Sequence, residues 1–458
     1  MRKLLAILLT VLSLSCALNT EAGTIDRGQR VLRLMMAADT DSLYAEMTTE
    51  MQSAIGKMQL KMMWHTLQLT FGKLQSMGEW TEQTTMGYDI AACPLQMERG
   101  RLLFSVTFAG DRIAGMFFTR HDAQAQTTTT EADTTGTDIH EEHEWLECDG
   151  YRMPAILTRP ASCTDAPCIV IVHGSGPNDM DGTVGSNKPY RELALRLAKA
   201  DVATFRYDKR TYTYRQMTDS VRDNITIDYE TTDDAIAAVE MLHSGDFGID
   251  TSRIFILGHS QGGMMIPRIA QRTGLPRGYI MMSAPARPLM ELLMMQLAYL
   301  YEHGLNPEWS TMKEEMERQI ANIGKLGTPD FDEKMPRPMG LPLSYVEDLA
   351  GYDQTSEAAH IDKPLLVMNG ENDYQVTMDD FAIWQKALAG KSNVVFKSYK
   401  GLNHIYHKSG TPSLPSDYTV AGNMPQAVIN DISGFVKGEL LKSPQQLKDL
   451  GIKVFALE

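Results

Sequence analysis

Hydrophobic and polar positions change rhythm twice along this chain. Between Arg30 and Met77 the apolar residues recur at helical spacing: Val31, Leu32, Leu34 and Met35, then Leu60, Met63, Trp64, Leu67 and Phe71. Gly78 is the expected stop. Three strand-like runs follow, Thr81–Tyr88, Leu95–Glu98 and Leu102–Phe108, and Ile113–Phe118 makes a fourth. Arg99-Gly100-Arg101 and Gly110-Asp111-Arg112 supply the turns. Residues 24–120 therefore read as a small α+β domain. Its methionines (Met47, Met51, Met58, Met62 and Met63) read as core packing, with an adaptable binding surface as the alternative.

His121 to Glu144 breaks the pattern. The stretch is polar, holds seven Thr, and has almost nothing to bury, so it reads as a flexible linker. From Trp145 onward, strands alternate with helices, which implies a mostly parallel sheet covered on both faces. Trp145–Cys148 and Tyr151–Leu157 flank Asp149-Gly150, a hairpin signal. Cys168–His173 is a continuous apolar run, as a strand buried on both faces requires. Ala203–Tyr207, Arg253–Leu257, Gly278–Ser283, Leu365–Asn369 and Val394–Tyr399 are further strands, with helices at Tyr190–Lys199, Tyr229–Leu242 and Met264–Gln271. Residues 285–345 interrupt this rhythm with an apolar helix, Leu289–Tyr301, a charged helix, Met312–Ile323, and a Pro/Gly-rich run. They read as an inserted cap. The first of these helices is apolar on more than one face and is expected to be buried.

Composition sets limits on partners. The 458 residues carry 43 Lys+Arg against 58 Asp+Glu, a net charge of −15. That balance argues against nucleic acid and against docking on anionic lipid, since both need a basic face. The first 22 residues look like an address. Arg2 and Lys3 precede the apolar run Leu4–Leu14, and Thr20-Glu21-Ala22 offers a small residue for signal peptidase. The run is shorter than the roughly 20 apolar residues needed to span a bilayer. A rival cut before Cys16 would leave a lipid-bearing cysteine, but Ser13-Leu14-Ser15-Cys16 lacks the aliphatic residue usual three positions earlier. The expectation is an exported protein, periplasmic or secreted, with no membrane span. Export permits disulfides. Cys163 and Cys168 are spaced to close a small loop, and unpaired thiols are the other reading. No Cys/His cluster has zinc spacing, so no structural metal is expected.

The segment with chemistry is Ile254-Phe-Ile-Leu-Gly258-His259-Ser260-Gln261-Gly262-Gly263. A β-rich run ends in G-x-S-x-G and a helical run begins at once. Such a turn is so sharp that side chains two residues either side of Ser260 would collide, and it lifts the Ser hydroxyl above the sheet. A Ser hydroxyl needs a base, and in this architecture an acid and then a His follow in chain order. Asp373 follows strand Leu365–Asn369 and is the expected acid, with Glu371 as its nearest competitor; Asp379 and Asp380 read as helix-capping residues. His404 follows strand Val394–Tyr399 and is the expected base. His407 reads as a surface or pocket residue, and His259 points elsewhere on the turn. An oxyanion needs preorganised N–H donors. One is expected from the backbone of Gln261, the second from the loop His173-Gly174-Ser175-Gly176-Pro177: Ser175 first, Gly174 or Gly176 next. A phosphate cradle is the rival reading of this loop, but neither GK[ST] nor G-x-G-x-x-G is present.

Together these residues resemble the α/β-hydrolase superfamily. More closely they resemble bacterial serine carboxylesterases of the EstD type, in which a small domain of unknown function precedes the hydrolase. The likeness spans about residues 145–440. It is strongest at His173–Pro177 with Asp179 and Asp181, at Tyr207-Asp208-Lys209-Arg210, at Gly258–Gly263, and at Asp373–Val376 leading to Leu402-Asn403-His404. The N-terminal unit is similar to the nuclear-transport-factor-two-like class. Two positions depart from the pattern: Gln261 stands where Glu is frequent, and Thr211 follows Arg210 where Gly is usual. The resemblance implies an α/β-hydrolase fold and a serine carboxylesterase acting on a small-molecule ester without cofactor or metal. A serine aminopeptidase or a thioesterase would use the same triad. A non-catalytic ligand-binding protein is the reading from another class.

Overall fold

The computed structural model describes residues 23–55, 57–85, 88–120, 139–161, 163–214, 221, 224–305 and 309–440. The expected leader at 1–22, with Cys16, lies outside the described residues, as does most of the expected linker, 121–138. The chain divides into two compact units, at Gln124/Ala125.

The N-terminal unit pairs helices with an antiparallel sheet. Strands β1 (Leu74–Met77), β2 (Thr81–Thr85), β3 (Tyr88–Met97), β4 (Gly100–Ala109) and β5 (Arg112–Arg120) run in the order β1-β3-β4-β5, with β2 also on β3. Its core joins Val31, Leu32, Leu43 and Trp64 to Phe104 and Val106. The long helical stretch expected over Arg30–Met77 is four helices, Thr24–Met36, Thr40–Ala45, Thr49–Ala54 and Lys57–Phe71, and Leu74–Met77 is a strand. Gly72, not Gly78, ends the last helix. It sits at φ +77°, where a side chain would also run into Glu98, so the chain reverses there without steric cost.

The second unit carries an eight-stranded sheet in the order β13-β12-β11-β10-β8-β9-β7-β6. These strands are β6 (Ile139–Cys148), β7 (Tyr151–Pro160), β8 (Ala166–Val172), β9 (Ala203–Tyr207), β10 (Ile249–His259), β11 (Gly278–Met282), β12 (Leu365–Gly370) and β13 (Val394–Tyr399). From β9 through β13 the neighbours are parallel; β7 alone runs against both of its neighbours. Alternate residues of each central strand enter two cores. Cys168, Val170, Ile254, Ile256, Leu365 and Val367 face one side. Ile169, Ile171, Phe255, Leu257, Leu366 and Met368 face the other. Burial on both faces is why these strands read as unbroken apolar runs. This is the α/β-hydrolase architecture, a mostly parallel sheet between helices. Among the described residues no helix is long and apolar enough to cross a membrane.

Two expectations change and one open choice closes. Residues 139–144, assigned to the linker, belong to β6. That strand buries only Leu146, so it shows little apolar pattern. Its ladder on β7 and its carboxylates hold it instead: Glu141 pairs with the buried Arg206 at 2.7 Å, and Glu142 pairs with Arg159. Charge on an outermost strand also discourages pairing with other chains. The apolar helix, observed as Leu289–Glu302, is not enclosed: Leu292 is its one buried residue. Finally, Cys163 and Cys168 are separate thiols. Cys168 is fully buried within β8, and the Cys163 thiol donates to Asp165 Oδ1.

A fragment beginning at 125 should therefore be more stable to urea than one beginning at 145, which loses Glu141 and six of the ten residue pairs of the β6–β7 ladder. Removing one partner of a buried ion pair costs on the order of 3 kcal/mol. Equal urea midpoints for the two fragments would show that β6 contributes nothing.

Candidate active site

The site lies at the carboxyl ends of β8, β10, β12 and β13, where the strand order departs in both directions from β8 and leaves a crevice. Ser260 follows β10 directly, and a helical turn, Gln261–Met264, begins at the next residue. Ser260 has φ +55° and ψ −121°, a conformation that non-glycine residues rarely adopt. Its N–H donates to Met282 O at 2.9 Å. Glycines make the turn possible. A Cβ on Gly258 would collide with the Gly262 carbonyl, and one on Gly262 would lie 2.5 Å from the carbonyl oxygens of Val172 and His173. The half-buried Ser260 hydroxyl forms no hydrogen bond among the described residues.

Asp373 and His404 come together. Asp373 Oδ2 lies 2.7 Å from His404 Nδ1, with both side chains buried. The other carboxylate oxygen accepts from the N–H groups of Gln375 at 2.9 Å and Val376 at 3.0 Å. This fixes the acid's rotamer from the rear. The competitor Glu371 is exposed and accepts from Ser398 Oγ instead. Asn403 Oδ1 accepts from the N–H groups of Ile405 and His407, tightening the loop around His404.

His259 joins the turn to the base. Its Nε2 lies 2.8 Å from the His404 carbonyl and its Nδ1 lies 2.9 Å from the Tyr190 hydroxyl, which accepts from Gly174 N–H at 3.3 Å. The Gly174 N–H is therefore engaged. The N–H groups of Ser175 and Gln261 have no acceptor among the described residues. Gln261 heads its helical turn, where N–H groups lack intrahelical partners.

Two expectations about neighbouring residues change. His407 is buried, with Nε2 3.2 Å from Glu192. Asp380 is also buried and caps no helix. It accepts from the backbone of Ala286 and Arg287 and pairs with the Arg287 guanidinium at 2.5 Å, anchoring the entry into the cap. Thr377 caps that helix. Sequence reasoning assigned no role to Tyr190, Asn178, Glu230 or Tyr345, and quoted Lys209 only for resemblance. Lys209 Nζ donates to Gly174 O at 2.9 Å and pairs with Glu230 at 3.2 Å. Tyr345, on helix Leu343–Ala350, donates to Glu230 at 2.9 Å and accepts from the Gln261 amide. The charged run Asp208-Lys209-Arg210 directly after strand β9 was the available signal, because burial of a lysine demands a local partner.

The cap reaches the site. Tyr299 and Leu300 pack beside Tyr374, Ile405 and Tyr418. Tyr299 stacks on Tyr374 at 5.1 Å, and Gln296 donates to the Gln375 carbonyl at 3.0 Å. Tyr374 and Ile405 are the neighbours in sequence of Asp373 and His404, so this end of the cap helix stands over the acid and the base. Among the described residues no cluster of His, Cys, Asp and Glu is arranged to hold a metal ion.

Burial pushes two imidazoles down to about 3, His173 with Lys209 nearby and His259 with His404 nearby. Above pH ~6.5 both rings are neutral whether the chain is folded or unfolded. Below it the unfolded chain protonates both, and the folded protein protonates them only near pH 3. The unfolded state then binds more protons, so stability falls with pH by about 1 kcal/mol per unit for each ring. Urea midpoints should drop steadily from pH 6 to pH 4. A midpoint that holds constant over that range would contradict the burial of neutral rings.

A model described as the alpha/beta hydrolase family matches residues 169–411. Esterase EstD of Thermotoga maritima is 31% identical over 387 residues, covering 84% of this chain and 89% of that protein. Among solved structures, Est1E from Butyrivibrio proteoclasticus aligns with a TM-score of 0.43 at 18% identity, over 66% of this chain and 99% of its own. An acylaminoacyl peptidase from Pyrococcus horikoshii aligns with a TM-score of 0.44 at 14% identity, over 82% of this chain and 53% of its own. The stretch matched by the family model opens inside β8, passes through the turn at Ser260 and closes beyond the loop of His404, and the chain belongs to the alpha/beta hydrolase family.

Proposed function

We propose that this hydrolase is an exported serine carboxylesterase that cleaves short-chain esters. The observation that carries the reading is the buried 2.7 Å contact of Asp373 with His404, tied through His259 to the strained turn of Ser260. Ser260 Oγ attacks the ester carbonyl as His404 Nε2 accepts its proton. Asp373 holds the imidazole in the required tautomer and stabilises the imidazolium. The carbonyl oxygen becomes an oxyanion that the N–H groups of Gln261 and Ser175 stabilise. His404 returns the proton to the leaving alcohol. Water, deprotonated by His404, then attacks the acyl-enzyme, and collapse releases the carboxylic acid and restores Ser260. Each step uses side chains and backbone N–H groups of this protein, the substrate ester and water, with no cofactor. The 31% identity to Esterase EstD supports ester cleavage, and the leader pattern at residues 1–22 supports export.

The cap supports short acyl groups. Tyr299, Tyr374 and Tyr418 are bulky, close-packed and adjacent to the acid and the base. Each methylene that fits is worth about 0.8 kcal/mol, so rates rise with chain length until this aromatic wall is met. Acetyl to butyryl esters should be the best substrates and decanoyl esters poor ones. A p-nitrophenyl ester series from C2 to C12 checks this, and activity still climbing at C10 would refute it.

Ser260→Ala and His404→Ala should each lower kcat by roughly 10⁴-fold or more, and Asp373→Asn somewhat less. Hydrolysis of p-nitrophenyl acetate by purified variants is the test. Full activity in Ser260→Ala would remove the mechanism.

A further inference from the structure

The peptide group joining Gly174 to Ser175 is held from one side only. Its carbonyl oxygen accepts from Lys209 Nζ at 2.9 Å and from Asn178 Nδ2 at 3.2 Å. In a trans peptide the C=O and N–H bonds point in opposite directions. Two donors that fix the Gly174 oxygen therefore fix the direction of the Ser175 N–H, which has no acceptor among the described residues. The loop also lies against the nucleophile: a Cβ on Gly174 would stand 3.2 Å from Ser260 Cβ and 3.7 Å from its Oγ.

The Lys209 ammonium is 98% shielded, with acceptors for all three of its hydrogens: Gly174 O, Glu230 Oε1 at 3.2 Å and Gln261 Oε1 at 3.5 Å. Glu230 is held in turn by Tyr345. Taking an ion pair out of water contributes little net stability compared with apolar packing. Its placement has another consequence. One ammonium reaches both halves of the oxyanion site, binding the carbonyl of the peptide that carries the Ser175 N–H on one side and the Gln261 side chain on the other.

We propose that Lys209 is a positioning residue for the oxyanion site, with Asn178 as its auxiliary: it clamps the 174–175 peptide so that the Ser175 N–H is aimed and polarised before substrate arrives. This rests on the esterase reading above. A positive charge at a peptide oxygen draws electron density from the amide and makes its N–H a stronger donor. The benefit appears only when the substrate oxygen carries charge, so it acts on the transition state and leaves ground-state binding alone.

The test uses the full chain, p-nitrophenyl acetate, an alkyl trifluoromethyl ketone that forms a serine-linked oxyanion, and the matching methyl ketone. Loss of one oxyanion donor costs about 10²–10³-fold in kcat. Lys209→Met should approach roughly 100-fold and Asn178→Ala roughly 10-fold, with KM within about twofold in both. Affinity for the trifluoromethyl ketone should fall in step with kcat, and affinity for the methyl ketone should not. Asn178→Ala leaves no buried charge unpaired, so it carries the test if Lys209→Met does not fold. Unchanged kcat in the folded variants, or equal losses for the two ketones, would overturn the proposal. A fluorophosphonate that fails to label Ser260 in the unaltered protein defeats the esterase reading and this inference with it. Labelling combined with unchanged trifluoromethyl ketone affinity defeats this inference alone.

Discussion

The rest of the site depends on how closely the backbone leaving β10 can approach the end of β8. At Gly258 and Gly262 the chain passes within contact of other carbonyl groups, leaving no volume for a single carbon atom. Because that space is empty of side chains, the helical turn after Ser260 starts directly beneath it. The backbone strain at Ser260, of order 1–3 kcal/mol, is sustained by the surroundings. Strand β10 is laddered on both sides, to β8 and β11, and Ser260 N–H is taken up by Met282. A free chain would relax such a turn. Here the sheet on both flanks forbids it, and the hydroxyl is held out of the ladder.

The two-faced apolar core and the polar cluster at the strand ends divide the work. The core supplies the driving force, since alternate residues of each central strand are withdrawn from water on opposite sides. The ionic groups near the site have a different role. Arg206 pairs with Asp181 and Glu141, Lys209 with Glu230, and Arg210 with Asp234, all from one stretch of five residues that begins on β9. Buried pairs of this kind are weak sources of stability but strict about geometry, because a displaced partner leaves a charge unsatisfied. They fix loops that have little apolar surface of their own, and the loop at 174–178 is one of these.

How much of this was legible in the sequence follows from the same division. Strands β8, β11 and β12 were readable because burial on both faces writes a nearly unbroken apolar run. The turn at Ser260 was readable because only glycine fits its neighbours. The first six residues of strand β6 were not, since their ladder and carboxylate pairs leave no apolar period. The end of the helix at Phe71 was misplaced because Gly72 and Gly78 are equivalent by composition, and only the φ of Gly72 and the approach of Glu98 separate them. The incomplete burial of helix Leu289–Glu302 was missed because apolarity on several faces does not say which neighbours are present. Asp380 resembled a helix cap from its position, and its actual partner, Arg287, lies 93 residues away. Long-range polar pairing leaves no local trace.

His259 shows how a residue set aside on sequence grounds acquires a structural role. Gly174 N–H donates to the Tyr190 hydroxyl, which must then donate onward to His259 Nδ1; His259 Nε2 must donate to the His404 carbonyl, which can only accept. The directions of these bonds assign one tautomer, a neutral ring protonated at Nε2. A second proton on Nδ1 would oppose the Tyr190 donor, and burial already disfavours it. A neutral His259 thus ties the loop after β8 to the loop after β13 through a run of hydrogen bonds with a single polarity. It is unsuited to be a base because both of its nitrogens are committed. That commitment places His404 beside the turn of Ser260, so the imidazole that cannot take the proton holds the backbone of the one that can.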